Sequence, residues 1–340
     1  MRGLYKTLGI LTLSSSLLLA CRSEAGAPEP SSEQPQLATQ PMTRAGGTAY
    51  EAAAKISLAA TAPEEHPALH NVFELSDNII SGSEPDGEEA FRILHEKGVR
   101  TILSVDGKVP DAKLAAKYGM KYVHVPIQYK GITDDEVAKI TKTFRELEGP
   151  FYVHCFHGKH RGPAAAELGR LVLDGISREE AIGEMRQWLG TSANYEGLYS
   201  TVAYVSIPTE RETHNLAWDF PAAAPLDGVA GAMVFVSRAH DHLKAAFKHD
   251  WQPDPMHPDV SAHNEAEKLV DHLERTAALS EVQEQAEDFR QWMVDSQRQA
   301  LELSEVLGEM SSGGGSVDDA NRAFEGLTQS CKSCHNVYRN

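Results

Sequence analysis

The tightest constraint on this chain lies in residues 151–163. Phe151-Tyr152-Val153-His154 has the aromatic and β-branched character of a short strand, and Pro163 suits the first turn of a helix. Between them Gly158 permits a sharp turn. A strand that becomes a helix within so few residues fits a sheet covered by helices. The flanking sequence repeats the theme, with strands expected at 99–105 and 122–127 and helices near 86–97, 111–118, 133–147, 163–174 and 177–189. Thr133-x-x-Glu136 and Ser177-x-x-Glu180 read as capping boxes at two of these helix starts. The alternation predicts an α/β domain, a central sheet flanked by helices, over residues 66–195.

Five residues separate Cys155 from Arg161. That spacing lets the loop curl round one tetrahedral oxyanion, with the backbone N–H groups of Phe156, His157, Gly158, Lys159 and His160 turned inward and the positive end of the following helix behind them. Arg161 can hold two oxygens at once, which Lys could not. The same field favours ionised sulfur, so Cys155 is the candidate nucleophile. Lys159, with His157 and His160, gives this loop a basic mouth suited to multiply phosphorylated substrates; alternatively the histidines are ordinary solvated loop residues.

His-Cys, five residues, then Arg, with a central Gly, resembles the signature of the cysteine-dependent protein tyrosine and dual-specificity phosphatases. The Gly-Lys-His-Arg segment is most similar to the plant and fungal atypical group, some of whose members act on inositol pyrophosphates. The resemblance covers roughly residues 70–190. It implies that Cys155 attacks phosphorus to form a phosphocysteine, that Arg161 stabilises the transferring group, and that water hydrolyses the intermediate without a metal. Two positions depart from the pattern. Gly162 stands where the family usually carries Ser or Thr, which implies slow turnover of the intermediate. No acid lies near Tyr129, where the general acid would fall, and Asp134 and Asp135 are the candidates further along. Their alternative role is as first-turn helix residues behind Thr133. General acids contribute ~10²–10⁴-fold, so lacking one would favour phosphoanhydrides or aryl phosphates. Rhodanese loops carry Cys and Arg at a shorter spacing. A phosphate-binding domain without catalysis is the competing reading.

Residues 196–224 read as a linker, and 225–340 as an all-α four-helix bundle. Val229, Met233, Val236, His240, Leu243 and Phe247 form one stripe at alternating steps of four and three. Further helices are expected near 262–278, 281–309 and 317–338. The last carries Cys331-Lys332-Ser333-Cys334-His335, in which two thiols one turn apart can add to the vinyl groups of haem while His335 turns to the iron. One covalent haem c is the expected cofactor; a zinc site would need further ligands. The motif at the end of a four-helix chain resembles the class II cytochromes c, the cytochrome c′ group. That resemblance implies a distal face covered by the first helix, with Met233 as candidate sixth ligand and His240 as its rival. If neither binds, the iron is open to small gases. The family's habit of dimerising makes a homodimer an expectation, and the histidines between His240 and His272 suggest no second metal.

Arg2, Lys6 and the apolar run 8–19 read as an export signal over residues 1–20, too short to span a bilayer comfortably. Leu18-Leu19-Ala20-Cys21 resembles a bacterial lipobox, which implies acylation of Cys21; an ordinary secretory signal is the alternative. Residues 21–65 have the composition of a disordered tether. The expected location is the periplasmic face of a bacterial membrane, the outer more than the inner, anchored by lipid. A net charge of −17 excludes nucleic acid as a partner. The expected whole is an exported phosphatase with a haem domain for redox or gas sensing, its partners a phosphorylated substrate, the membrane, and a redox partner or gas ligand. The alternative is a haem protein for electron transfer or gas binding whose α/β domain only binds phosphate.

Overall fold

The computed structural model describes residues 40–44, 46–225, 228–253 and 260–338. The export signal and Cys21 lie outside them. Six strands form one mixed sheet: β1 (Glu64–His66), β2 (Leu69–Glu74), β3 (Ile79–Gly82), β4 (Thr101–Ser104), β5 (Lys121–His124) and β6 (Phe151–His154), in the order β1-β2-β3-β6-β4-β5. β3, β6, β4 and β5 run parallel, while β1 and β2 add an antiparallel edge. In register, Gly82 and Ser104 both pair with His154, and His124 pairs with Ser104. The carboxyl ends of four strands therefore open at one level, where open α/β sheets bind their ligands.

Strand side chains alternate between faces, so the central strands are buried on both. Ile79, Leu103, Val123 and Val153 meet α4 (Asp134–Glu146) and α5 (Arg161–Leu173) in one core. Ile80, Ile102, Tyr122 and Tyr152 meet α2 (Gly87–Glu96) and α3 (Ala112–Lys117) in the other. α6 (Arg178–Gln187) packs beside α5. The Thr133 and Ser177 side chains accept the expected N-terminal N–H bonds, and at Thr133 the box closes through Glu136.

Two segments differ from their sequence-based expectation. Within the expected tether, α1 (Ala49–Ala52), capped by Thr48, buries Ala49 and Ala53, and the Ala49 N–H donates to Glu196 Oε1 at 2.7 Å. Ile56 lies against Gly183, where a Cβ would come within 2.5 Å of it. A few small and apolar side chains suffice because a groove already exists on α6. The expected linker likewise holds α7 (Glu196–Tyr204), which buries Leu198, Tyr199 and Val202 in the α/β core, and α8 (Glu210–Asn215).

Residues 221–224 then pass the end of β5, where His124 N–H donates to Pro221 O and Ala224 N–H to His124 Nδ1. Beyond them α9 (Gly228–Phe247), α10 (Ala262–Ala277), the short α11 (Ser280–Gln283), α12 (Glu287–Ser311) and α13 (Val317–Tyr338) form the helical bundle. Leu243, Leu269, Leu273, Leu303, Leu307 and Leu327 fill its centre. Among the described residues no helix is long and apolar enough to cross a membrane.

Candidate active site and haem-binding segment

β6 delivers Cys155 to the carboxyl edge of the sheet, with the thiol residue 4 % exposed. The carbonyls of Phe156, His157 and Lys159 each accept a bond from outside the loop, from Glu84 N–H at 3.0 Å, Asn71 Nδ2 at 2.9 Å and the Thr191 hydroxyl at 2.8 Å. In a trans peptide the C=O and the next N–H point opposite ways. Turning these carbonyls outward directs the N–H groups of His157, Gly158 and His160 to the inside of the curl. Gly158 has φ +71°, and a Cβ there would come within 2.3 Å of the Gly82 backbone. Gly162 opens α5 directly beneath the sulfur-bearing residue, since a Cβ on it would sit 3.0 Å from Cys155 N.

Arg161 is buried, its guanidinium lying 4.4 Å from the centre of the Tyr129 ring and donating to the Tyr129 hydroxyl at 3.2 Å. One terminal nitrogen donates to Asp106 Oδ2, which also accepts the Phe156 N–H at 3.3 Å. Arg161 Nε is buried and bonds to nothing among the described residues. Buried donors in native proteins have partners, so this one marks a place for an acceptor.

Asp106, just beyond β4, is the site residue that sequence reasoning missed. Burial alone would raise its carboxyl, but Arg161 and Lys268 outweigh burial and hold it well below the ordinary carboxylate range. It is therefore an anion that anchors Arg161, with no proton to donate. The available signal was its place at the carboxyl end of a central strand.

The expected general acids are not brought to the site. Asp134 and Asp135 occupy the exposed first turn of α4, and Asp135 pairs with Lys139 at 2.5 Å. Thr133 starts the helix at the surface, so these carboxylates serve its N-terminus. His160, expected in the phosphate cradle, turns its ring away: Nδ1 accepts the Ser192 N–H at 3.2 Å, and the ring lies 4.6 Å from Tyr195. Lys159 is exposed, whereas His157 and Phe156 are half-buried. His154 is buried beside the Tyr122 hydroxyl at 2.6 Å, and burial pulls it down to about 4, so it is neutral at pH 7.

The bundle closes over this edge. Lys268 of α10 reaches Asp106 Oδ1 at 2.9 Å and Glu265 at 2.8 Å, while Lys108 pairs with Glu267 at 3.1 Å. Glu265 in turn pairs with His242 of α9 at 2.9 Å. Between the two domains lies a cleft of about 360 Å³ with Arg161, Tyr129 and Tyr195 on one side and Phe235, Arg238 and His242 on the other.

In the bundle, Cys331 and Cys334 are free thiols one turn apart, Cys331 packed against the core and His335 exposed one residue beyond Cys334. α9 and α13 run antiparallel, as fixed by His240 Nε2 and Thr328 Oγ1 at 3.1 Å and by Trp251 Nε1 donating to Asn321 at 2.9 Å. Seven residues on each helix are about two turns. Met233 is thus level with His335, and His240 is level with Thr328, where it also stacks on Phe324 with ring centres 5.2 Å apart. Val234 and Val337, beside Met233 and His335, are two of the few large apolar side chains left exposed. Two available thiols, an unburied imidazole and an apolar surface at one level fit a covalent haem.

A Cys-x5-Arg curl between a parallel strand and a helix defines a cysteine-phosphatase type of oxyanion site, and it is joined here to a helical bundle of cytochrome type. Comparison with known proteins agrees at both ends. Residues 236–339 match the Cytochrome C′ family, which implies haem. The dual specificity protein phosphatase TpbA of Pseudomonas aeruginosa, in two strains, is 26% identical over 137 residues, 40% of this chain. The chain spans 61% of the length of these curated relatives. Among solved structures, P. aeruginosa TpbA is similar with 23% identity over 42% of this chain and 88% of that one, TM-score 0.36. The core catalytic domain of the PP-IP phosphatase SIW14 from S. cerevisiae shows 22% identity over 42% and 86%, TM-score 0.33.

Proposed function

We propose that this chain is a cysteine-dependent phosphatase, exported and anchored by lipid at Cys21, whose haem domain reports redox state or a bound gas. The observation that carries the catalytic reading is the buried Arg161 Nε, without a partner among the described residues, on a guanidinium that senses the Cys155 thiol, at the end of a loop whose carbonyls are turned outward. Cys155 sulfur attacks phosphorus, the S–P bond forms as the P–O bond to the leaving group breaks, and Arg161 with the inward amides holds the equatorial oxygens. Water then attacks phosphorus, breaking S–P and releasing inorganic phosphate and thiolate. With Asp106 ionised and Asp134 and Asp135 elsewhere, the leaving oxygen takes its proton from water, which favours aryl phosphates and anhydrides.

Haem held through Cys331 and Cys334, with His335 on the iron, would supply redox chemistry or a gas site. Met233, on α9, would be the candidate sixth ligand. The experiment is release of phosphate from p-nitrophenyl phosphate by the full chain and by Cys155→Ser, with a pyridine haem assay on the same material. Equal residual rates overturn the catalytic reading.

One observation favours a second reading. Asp106 already engages Arg161 and the Phe156 N–H, so a haem protein with a non-catalytic oxyanion-binding domain would look like this at rest. Under that reading phosphate binds Cys155→Ser and wild type alike, and neither turns over.

A further inference from the structure

Arg161 is aimed by a carboxylate that the other domain holds. Its Nη2 donates to Asp106 Oδ2 and to the Tyr129 hydroxyl, which commits both hydrogens of that nitrogen, while Nε bonds to nothing among the described residues. A carboxylate offers two oxygens and about four acceptor positions. On Asp106, Oδ2 accepts from Arg161 and the Phe156 N–H, and Oδ1 accepts from the Lys108 N–H at 3.1 Å and from Lys268 Nζ at 2.9 Å. Every position is in use, and one of the donors belongs to the helical bundle. Lys268 is fixed in turn, because its Nζ also donates to Glu265 at 2.8 Å and its stem runs beside Gly107, where a Cβ would lie 3.7 Å from Lys268 Cδ. Docking alone does not call for a buried lysine, since the cost of taking an ion pair out of water offsets most of its attraction. A buried network with every bond made does fix orientation.

We infer that Lys268, from the helical bundle, is a positioning residue of the phosphatase site, acting through Asp106 to keep Arg161 aimed at the transferring phosphate. The inference rests on the phosphatase reading above and adds a residue of the second domain to it. Lys268 needs no contact with sulfur or phosphorus. Its bond stops the Asp106 carboxylate from turning about Cβ–Cγ, and a carboxylate that cannot turn holds the guanidinium in one plane. Its charge acts in the same direction. Asp106 is an anion close to the place where the phosphate oxygens gather, and Lys268 offsets part of the repulsion that Asp106 would exert on them. Glu265 and Lys268 are both buried, so this compensation is not left to water. The site is then assembled from both domains: sulfur, amides and guanidinium from the α/β domain, and the brace behind the guanidinium from α10. Donors preset in this way need no reorganisation as charge develops.

The test uses the haem-loaded full chain. kcat/KM for p-nitrophenyl phosphate is measured against pH in wild type, Lys268→Met, Asp106→Asn, the double variant of these two, and a control carrying Glu267→Gln with Arg275→Gln. The control loosens the same domain contact away from the Asp106 side chain, at Lys108 and at the Ala224 carbonyl. Calorimetry follows inorganic phosphate binding to Cys155→Ser with and without the same changes. Lys268→Met should lower kcat/KM and phosphate affinity by roughly 10- to 100-fold, and should add nothing once Asp106→Asn is present. Lys268 helps to keep Asp106 ionised, so in Lys268→Met the acid limb of the profile should begin at higher pH, a shift that a merely structural role would not produce. The control should match wild type in rate, affinity and profile. The inference falls if Lys268→Met leaves rate and affinity unchanged, if it acts as strongly beside Asp106→Asn, if the acid limb stays in place, or if the control reproduces the loss. Should wild type turn over nothing while phosphate binding to Cys155→Ser weakens with Lys268→Met only where Asp106 is present, the positioning stands and the catalytic reading falls. Should wild type neither turn over nor Cys155→Ser bind phosphate, both fall.

Discussion

Replacing Lys268 with Met should uncouple the two domains. Lys268 and Asp106 meet at 2.9 Å with side chains 6 % and 3 % exposed. At that distance, with an effective dielectric of ~20, two unit charges attract by about 6 kcal/mol. Desolvation offsets much of this, but removing one partner of a buried pair strands the other and costs roughly 3–5 kcal/mol. Lys268→Met leaves Asp106 with Arg161 alone and Glu265 with His242 alone, whereas Asp106→Asn leaves Lys268 its bond to Glu265. The neighbouring Lys108 and Glu267 pair is about one third exposed and contributes only about 0–1 kcal/mol. The assay is urea unfolding of the full chain, followed by far-UV circular dichroism, for wild type, each single variant and the double. The double should recover a coupling of about 2–3 kcal/mol relative to the sum of the singles. Additivity within about 0.5 kcal/mol would refute the claim that this pair holds the bundle on the sheet.

Gly158→Ala combines a left-handed φ with a Cβ driven into Gly82, and thermal unfolding should show a loss of about 2 kcal/mol or more; an unchanged Tm means the loop can relax. Burial pulls His124, His154 and His272 each down to about 4, against 6.5 in the unfolded chain. Between these limits the unfolded chain binds more protons, so their stabilisation is complete above pH 6.5 and lost as pH falls towards 4, at most about 3 kcal/mol each. Glu84 acts oppositely: burial raises it to about 7, so its contribution is lost as pH rises from 4.5 to 7. The urea midpoint of Glu84→Gln should therefore be lower at pH 4.5 than at pH 7, and equal midpoints would count against buried neutral histidines. In haem-loaded protein, Met233→Leu should change the reduced absorption spectrum and His240→Leu should not; the reverse would overturn the helix register argued above.

The α/β pattern, the bundle and the two cysteine motifs were legible because each is local. Strand and helix periods, a five-residue loop spacing and a one-turn thiol spacing are set by backbone geometry over a few residues. Cys155, Arg161, Cys331, Cys334 and His335 could be singled out for that reason. What stayed hidden depends on pairs far apart in the chain. Asp106 is 55 residues from Arg161, and its partner Lys268 is in the other domain. Residues 46–60 carry too little apolar surface to fold alone, yet they have a groove to occupy once α6 and α7 exist. Asp134 and Asp135 could be proposed as acids because spacing says nothing of direction; the cap at Thr133 decides that they face solvent.

The sequence by itself determined which groups can do chemistry, since the Cys-x5-Arg curl and the Cys-x-x-Cys-His motif are both written in short-range spacing. Only the tertiary structure decided which charges compensate one another. Burial removes water as a partner, so Arg161, Asp106, Lys268 and Glu265 must neutralise each other across the domain boundary.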